Sequence, residues 1–126
     1  MPIIDDVRIS TGENCSIARI EKFSADNVTF GSYVHHDGKT AVLVAATGDV
    51  EVSVLRDVCM HIAAGVPTVP AGITADDVPA EIVEKERTFR LQQAMDSGKP
   101  EHIAEKMLEG KIRKYYDQVV LLRQPF

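Results

Sequence analysis

A chain of 126 residues with 44% hydrophobic and 26% charged residues is long enough for one globular domain and too short for two ordinary ones. Its formal charge of -5 comes from intermixed acidic and basic residues, which argues against a basic groove for nucleic acid. Cys15 and Cys59 are too few for a disulfide framework and lack CxxC spacing, so we expect a reducing, cytoplasmic setting.

The N-terminal residues 1–11 show no clear periodicity and are interpreted as an arm of unassigned structure. They carry acids where a signal peptide needs lysines, and no stretch of the chain approaches the ~20 apolar residues of a membrane span. We therefore expect neither export nor a membrane anchor. The β-branched run from Cys15 to Phe23 predicts a strand, and residues 24–27 predict a turn.

The next segment alternates between two faces, and one set is predicted to be buried: Val28, Phe30, Ser32 and Val34. Tyr33 and His35 would then lie together on the outer face. Asp37-Gly38 is typical of a β-hairpin turn because both residues accept the positive φ that a tight turn requires. The apolar run 40–46 that follows predicts a second strand, covered on both faces or central in a small sheet.

A helix is predicted after Gly48 from apolar residues three and four positions apart: Leu55, Val58, Cys59 and Ile62. Asp49 is placed to cap its N-terminus, and Gly65 is a natural terminator. Residues 74–77 resemble a capping box, and Pro79 is expected at the first position of a longer helix.

From Pro79 to Tyr116 the composition shifts towards long charged and polar side chains, broken at residues 97–100. This pattern predicts a helical hairpin, with Gly98 closing one helix and Pro100 opening the next. The predicted apolar stripes are Ile82, Phe89 and Met95 in the first arm, and Leu108, Ile112, Tyr115 and Val119 in the second. Pairs four apart (Glu81 with Lys85, Glu86 with Arg90, Glu109 with Arg113) are interpreted as solvated support for the helices.

Metal and catalytic chemistry find little support in the sequence. The candidate zinc ligands are His35, His36, Cys59 and His61, but adjacent histidines on a strand point to opposite faces and cannot easily share an ion. Cys59 lies on an apolar stripe, where cysteine is usually a small hydrophobe. The sequence has no phosphate-binding glycine loop and no HExxH. We therefore predict no catalytic residue, no metal and no cofactor.

A surface for another protein is the remaining interpretation. Tyr33 and His35 share one strand face beside a turn, and aromatic groups with a polar tip are favoured at interfaces, although these residues could equally be the ordinary end of a strand. For His61 we favour a histidine half-packed against the sheet over a partner contact.

Five stretches carry a resemblance to a known family: GENCSIARIEKF, FGSYVHHDGKTAVLVAATG, VCMHIAAGVP, DVPAEIVEKER and SGKPEHIAEKMLEGKIRKYYDQVVLLRQPF. Together they span residues 12 to 126, and in this order they resemble bacterial elongation factor Ts, the guanine-nucleotide exchange factor for elongation factor Tu.

The resemblance implies an α+β fold: a small three-stranded antiparallel sheet packed on a helix, with a protruding antiparallel coiled coil. It divides the chain into an arm (1–11), a core (12–78 with 118–126) and the coiled coil (79–117). It also implies binding to elongation factor Tu, a homodimer, and no direct contact with nucleic acid or membrane. The histidine of the family's GSYxH strand is a partner contact, and His35 matches that position. Tyr33 and Ser32 belong to the same motif.

The sequence also departs from the family pattern. Members carry an N-terminal ubiquitin-associated-like helical module, which these residues do not include. They also carry a Thr-Asp-Phe-Val motif that disturbs the magnesium and phosphate end of the nucleotide site, and residues 50–53 stand in its place as Val-Glu-Val-Ser. The chain resembles the second copy of a duplicated core, ending before its late strand. We expect residues 12–23, from the same chain or a partner, to fill that sheet position, since an unpaired edge is a liability.

These features predict a Tu-docking and dimerisation portion of an exchange factor, with little exchange activity of its own. Two alternatives stay open. One is a free-standing coiled-coil interaction protein that has kept the fold but not the Tu partnership. The other is a histidine-dependent metalloenzyme.

Overall fold

The computed structural model describes residues 2–126 and has an α+β architecture, as predicted. Its elements in chain order are helix α1 (Pro2–Thr11), strands β1 (Val28–Val34) and β2 (Ala41–Thr47), and helices α2 (Val52–Ala64), α3 (Ala80–Asp96) and α4 (Glu101–Val119). Short 3-10 turns lie at Ala75–Asp77, before α3, and at Leu121–Arg123, after α4. Helix α1 occupies most of the predicted arm and buries none of its side chains.

The sheet has two antiparallel strands within residues 2–126, not the three that were expected. The strand predicted from Cys15 to Phe23 is wrong, because these residues form no regular structure. Ile17 and Ile20 are three positions apart, so in a strand they would point to opposite faces and leave neither face apolar. In the structure Ile20 is 73% exposed, and among residues 2–126 only β1 and β2 pair with each other in a sheet.

The β-hairpin predicted at Asp37-Gly38 is confirmed. The backbone N–H of His35 donates to the Thr40 carbonyl (2.8 Å), and the N–H of Gly38 donates to the His35 carbonyl (2.9 Å). Gly38 has a φ of 67°, which favours glycine, and the Asp37 carboxylate accepts from the N–H of Lys39 (2.9 Å). These bonds fix the loop directly after His35.

The face of β1 that packs on helix α2 is the opposite of the predicted one. Gly31 is buried against α2, and a Cβ built at this glycine would lie 2.3 Å from Leu55 Cβ. Cys59 Sγ donates to the Gly31 carbonyl (3.5 Å). Ser32 and Val34, which were predicted to be buried, are exposed. The missing side chain of Gly31 lets the helix approach the strand on its side, and this decides which face is covered.

Strand β2 follows the same division and is not covered on both faces. Val42, Val44 and Ala46 are half-buried on the α2 side, whereas the residues between them are exposed on the other side. Leu43, for example, is 52% exposed. The expectation of a strand covered on both sides was therefore wrong.

Helix α2 has the predicted apolar stripe and ends as predicted. Leu55 and Cys59 are buried, and Gly65 adopts the left-handed conformation at φ 60°. Its start differs from the prediction, because Glu51 and not Asp49 is the N-cap residue.

Helices α3 and α4 form the predicted hairpin. Pro79 is the N-cap residue of α3, one position before the place predicted for it, and Pro100 is the N-cap residue of α4. Gly98 has a φ of 83° between the two helices. The capping box is confirmed: Thr74 N–H and Oγ1 donate to the Asp77 carboxylate at 2.8 and 2.9 Å. The main hydrophobic core lies at the base of this hairpin and consists of Val78, Val83, Leu108, Ile112, Val119 and Val120.

Apolar stripes facing the seam were predicted for both helices, and the prediction is correct for α4 only. Leu108, Ile112 and Val119 of α4 are buried and Tyr115 is half-buried, as expected. The stripe predicted for α3 is wrong, because Ile82, Phe89 and Met95 are 38%, 57% and 42% exposed. Val83 and Ala94 are buried instead.

Charged side chains border the seam. Arg87 of α3 donates to Glu109 of α4 (3.0 Å), and the predicted Glu86–Arg90 pair is present (2.6 Å). Glu109 thus pairs across the hairpin, and not with Arg113 as predicted. No helix between residues 2 and 126 combines the length and apolar character needed to cross a membrane.

Candidate protein-docking site

Tyr33 and His35 lie side by side at the end of β1. The Tyr33 hydroxyl oxygen is 2.9 Å from Nδ1 of His35, and the two rings meet edge to face with centroids 6.0 Å apart. Both side chains are half-buried. The sequence prediction that these residues share one face is therefore confirmed. Their predicted placement on the outer face is wrong, because this is the face of β1 that packs on helix α2.

His36 joins this pair, contrary to the expectation that adjacent histidines point apart. The His35 and His36 ring centroids are 4.2 Å apart with an interplanar angle of 53°. The expectation applied strand geometry, but His35 lies one position after the strand and His36 begins the turn. We call Tyr33, His35 and His36 the ring cluster.

Ser32 does not belong to the ring cluster. It pairs with Leu43 in the strand register and is exposed on the other face of the sheet. The three residues suggested by the family motif are therefore divided between two faces of β1. A partner that contacts all three of these residues has to contact both faces of the β-hairpin.

The remaining candidate metal ligands are not brought together. Cys59 and His61 lie on helix α2, and Cys59 is fully buried. Within residues 2–126 no group of three or more His, Cys, Asp or Glu side chains is arranged to hold a metal ion. Burial raises the pKa of the Cys59 thiol, which keeps it protonated and unreactive at neutral pH.

His61 is held inside the protein by the end of the chain. Gln124, which is buried, donates through Nε2 to the carbonyls of Thr68 (2.9 Å) and Gln118 (2.6 Å). Its Oε1 therefore accepts from Nε2–H of His61 (2.9 Å), and the ring of Phe126 lies beside the imidazole at 5.6 Å. This geometry supports the packed interpretation of His61.

Sequence reasoning missed Gln124 as a structural residue. The available signal was a single amide side chain within the apolar C-terminal run LLRQPF. A buried amide needs partners for both its donor and its acceptor groups, and Gln124 finds them on three segments.

An apolar cleft of about 560 Å³ lies along strand β2. Its walls include residues 42–46 of β2, residues 70–73, part of helix α2, and Phe23. The edge of β2 that faces away from β1 has no strand partner within residues 2–126. The cleft and this edge therefore offer apolar surface and backbone hydrogen-bonding groups in one place.

Comparison with known proteins places the chain in a family. A family model described as Elongation factor TS matches residues 3–126. Elongation factor Ts of Bartonella bacilliformis is 47% identical over 98% of this chain and 42% of its own length. The corresponding values are 46%, 91% and 37% for Hydrogenovibrio crunogenus, and 44%, 98% and 42% for Bartonella tribocorum. The chain thus spans about two fifths of the length of the curated relatives it matches.

Proposed function

Because the chain belongs to the elongation factor Ts family, we propose that it forms the part of such a factor that docks onto elongation factor Tu. The parent activity is guanine-nucleotide exchange, a protein-binding function and not an enzymatic reaction. The observation that carries the proposal is the ring cluster at the turn of the β-hairpin, where His35 occupies the partner-contact position of the family motif. We expect the protein to act in the cytoplasm without a cofactor, and to bind neither nucleic acid nor membrane directly.

The position of the ring cluster supports a docking role. Its three rings, each with polar atoms, lie at a turn that is fixed by backbone hydrogen bonds, so little ordering is needed when a partner binds. Such side chains are enriched at protein interfaces. Ser32 would form a second, lesser contact on the other face of the hairpin.

We expect this portion of the factor to accelerate nucleotide exchange on elongation factor Tu only weakly. An exchange factor works by binding the emptied GTPase more tightly than the loaded one. Residues 50–53, which stand in place of the exchange motif, supply no phenylalanine and lead into helix α2. We propose that this portion contributes affinity for Tu but little preference between its nucleotide states.

The test is binding to nucleotide-free elongation factor Tu by calorimetry. His35→Ala should weaken binding about tenfold or more, whereas Asp6→Ala, at an exposed site on helix α1, should leave it unchanged. Equal binding by the wild type and His35→Ala would remove His35 from the docking site. Nucleotide release from Tu as fast as with an intact factor would contradict the assignment of weak exchange.

We also propose that the chain forms a homodimer in which residues 12–23 of one copy pair with the free edge of β2 in the other. The apolar cleft and the unpaired edge support this arrangement, as do the exposed Ile20 and Phe23. Light scattering should give a dimer for the wild type and a monomer for the double variant Ile20→Asp/Phe23→Asp. Ile9→Asp, a change at an exposed site on α1, is the control. A monomeric wild type at micromolar concentration would exclude the dimer.

The alternative of a free-standing coiled-coil interaction protein is not favoured. The family match covers the sheet and helix α2 as well as the helical hairpin, so it does not rest on the hairpin alone. The coiled-coil character of α3 and α4 remains part of the proposal: we expect the two helices to project as a rod that adds contact area for a partner.

A further inference from the structure

We infer that Tyr33 is a positioning residue: its hydroxyl donates to Nδ1 of His35, which leaves Nε2–H of His35 as the donor offered to the partner. This inference rests on the proposed docking function and adds the chemistry of the contact. The partner group has to be a hydrogen-bond acceptor, such as a backbone carbonyl or a carboxylate.

The hydrogen bond between the two side chains carries the argument. Tyr33 Oη and His35 Nδ1 are 2.9 Å apart, a normal length for a full hydrogen bond. In a neutral imidazole one nitrogen carries the proton and the other accepts, and the bond made by one nitrogen determines the role of the other. If Nδ1 accepts from Tyr33, the proton must be on Nε2.

The opposite arrangement would leave the hydroxyl proton of Tyr33 without a partner in the protein. Within residues 2–126, Tyr33 makes no side-chain hydrogen bond other than the one to His35. A hydroxyl that donates to Nδ1 uses its proton, whereas one that accepts from Nδ1–H would have to find water at a half-buried position. The first arrangement is therefore favoured.

Neighbouring groups hold the imidazole ring in this orientation. The His36 ring lies 4.2 Å from it and the Tyr33 ring meets it edge to face, which restricts rotation about the side-chain bonds of His35. Its backbone is fixed on both sides, by the N–H bond to Thr40 and by the carbonyl that accepts from Gly38. Nε2 has no hydrogen-bond partner among the described residues, so its hydrogen-bonding capacity is not used within the protein.

The first experiment reads the tautomer directly in the free protein. Imidazole ¹⁵N chemical shifts of His35 should show a protonated Nε2 and a bare Nδ1 at neutral pH. In Tyr33→Phe the Nδ1 signal should move, because its donor is gone. Tyr116→Phe, which removes a hydroxyl from helix α4, should change neither signal. A protonated Nδ1 in the wild type, or no change in Tyr33→Phe, would overturn the inference.

The second experiment asks which edge of His35 binds elongation factor Tu. The amide nitrogen of glutamine reaches about as far from the backbone as Nε2, and that of asparagine about as far as Nδ1. His35→Gln should therefore retain several-fold more affinity than His35→Asn. Tyr33→Phe should weaken binding about fivefold through loss of positioning, and this loss should vanish in the His35→Ala background.

The outcomes separate this inference from the docking proposal. Weak binding by His35→Ala together with unchanged binding by Tyr33→Phe would leave docking intact and refute positioning by Tyr33. Equal or better binding by His35→Asn than by His35→Gln would refute the assigned donor edge. If His35→Ala binds like the wild type, the docking proposal fails, and with it the role assigned to Tyr33 in presenting a donor to Tu.

Discussion

The base of the helical hairpin and the sheet with helix α2 bury their residues in different ways. Six buried hydrophobic side chains from α3, α4 and the adjoining segments make up the core at the base. Between the sheet and α2, the buried positions are Leu55, Cys59 and Gly31, one of which has no side chain. The first region is held by side-chain packing, and the second by close approach of a helix to a strand.

This difference separates stability from recognition. The base buries its apolar residues within the protein. The sheet instead keeps apolar side chains on its outer face, with Val34 64% and Leu43 52% exposed, and has an apolar cleft along its edge. Exposed contiguous apolar surface is typical of interaction sites. The comparison leads us to expect that the base determines whether the protein folds, and that the sheet determines what it binds.

The largest effect is expected from a cavity at the hairpin base. Ile112→Ala removes three carbon atoms from a side chain that is 4% exposed, and should lower the free energy of unfolding by about 3 to 4 kcal/mol. Urea unfolding measures this change. The control Leu122→Ala, at a site 72% exposed, should cost less than about 0.5 kcal/mol. A loss as small as that of the control would show that the base is not the principal core.

A smaller effect is expected where the helix meets the strand. Gly31→Ala places a Cβ within 2.3 Å of Leu55 Cβ, so α2 has to shift, at a cost of about 2 kcal/mol. Gly110→Ala is the matched control, because nothing lies within 4 Å of its added Cβ and alanine favours helix, so stability should rise by up to about 1 kcal/mol. Urea unfolding of both variants measures the change in the free energy of unfolding, which should be a loss for Gly31→Ala and a gain for Gly110→Ala. An unchanged free energy in Gly31→Ala would show that the packing of α2 on β1 does not depend on the absence of a side chain at residue 31.

The next effect concerns the C-terminal segment, which links the two regions. Gln124→Leu leaves the Thr68 and Gln118 carbonyls and Nε2–H of His61 without their partner, and should cost about 1 to 2 kcal/mol. Faster amide hydrogen exchange in residues 120–126 should accompany this loss. Gln118→Ala, which keeps the Gln118 carbonyl, should change neither quantity. Unchanged exchange in Gln124→Leu would mean that the amide does not hold the segment.

The smallest effect is expected at the capping box before α3. The backbone N–H of Thr74, followed by its hydroxyl, lowers the pKa of the exposed Asp77 carboxyl. A lowered folded-state pKa gives a stabilisation that is complete above the ordinary value of 3.8 and is lost as the pH falls through the folded-state value. Asp77→Asn should therefore be less stable than the wild type at pH 7, with the difference shrinking in acid. Asp76→Asn is the control, and a difference independent of pH would contradict the assigned cause.

The ends of the helices were predictable from the sequence where a glycine or a proline marks them. Gly65, Pro79, Gly98 and Pro100 each restrict backbone conformation at one point of the chain, and each ends or begins a helix as expected. The β-hairpin followed from Asp37-Gly38 for the same reason. These signals are local, so they do not depend on what packs against the element.

Which face of a strand or helix is buried was harder to predict, because burial depends on tertiary contacts. Alternation in β1 suggested burial of the face that carries Phe30 and Ser32, but Gly31 lets helix α2 pack on the other face. In α3 the small Ala94 faces the partner helix while the larger Phe89 is exposed. Apolar side chains indicate that a face is available for burial, and the absence of a side chain can decide which face is used.

The candidate site was partly predictable. The pairing of Tyr33 with His35 followed from strand alternation, whereas the contact of His36 with His35 depends on where the strand ends, to within one residue. The roles of His35, Tyr33 and Ser32 in binding remain predictions.

The helical hairpin leaves the core and returns to it at one place. Gly72, shortly before α3, forms a β-bridge with Val120, directly after α4, and Val78 packs in the same cluster as Val119. Beyond the Arg87–Glu109 pair, the two helices contact mainly each other. Matched insertions or deletions of whole turns in both arms would therefore alter the reach of the rod by about 5.4 Å each and leave its attachment unchanged. Natural variation in arm length could thus adjust the span to a partner without any compensating change in the rest of the fold.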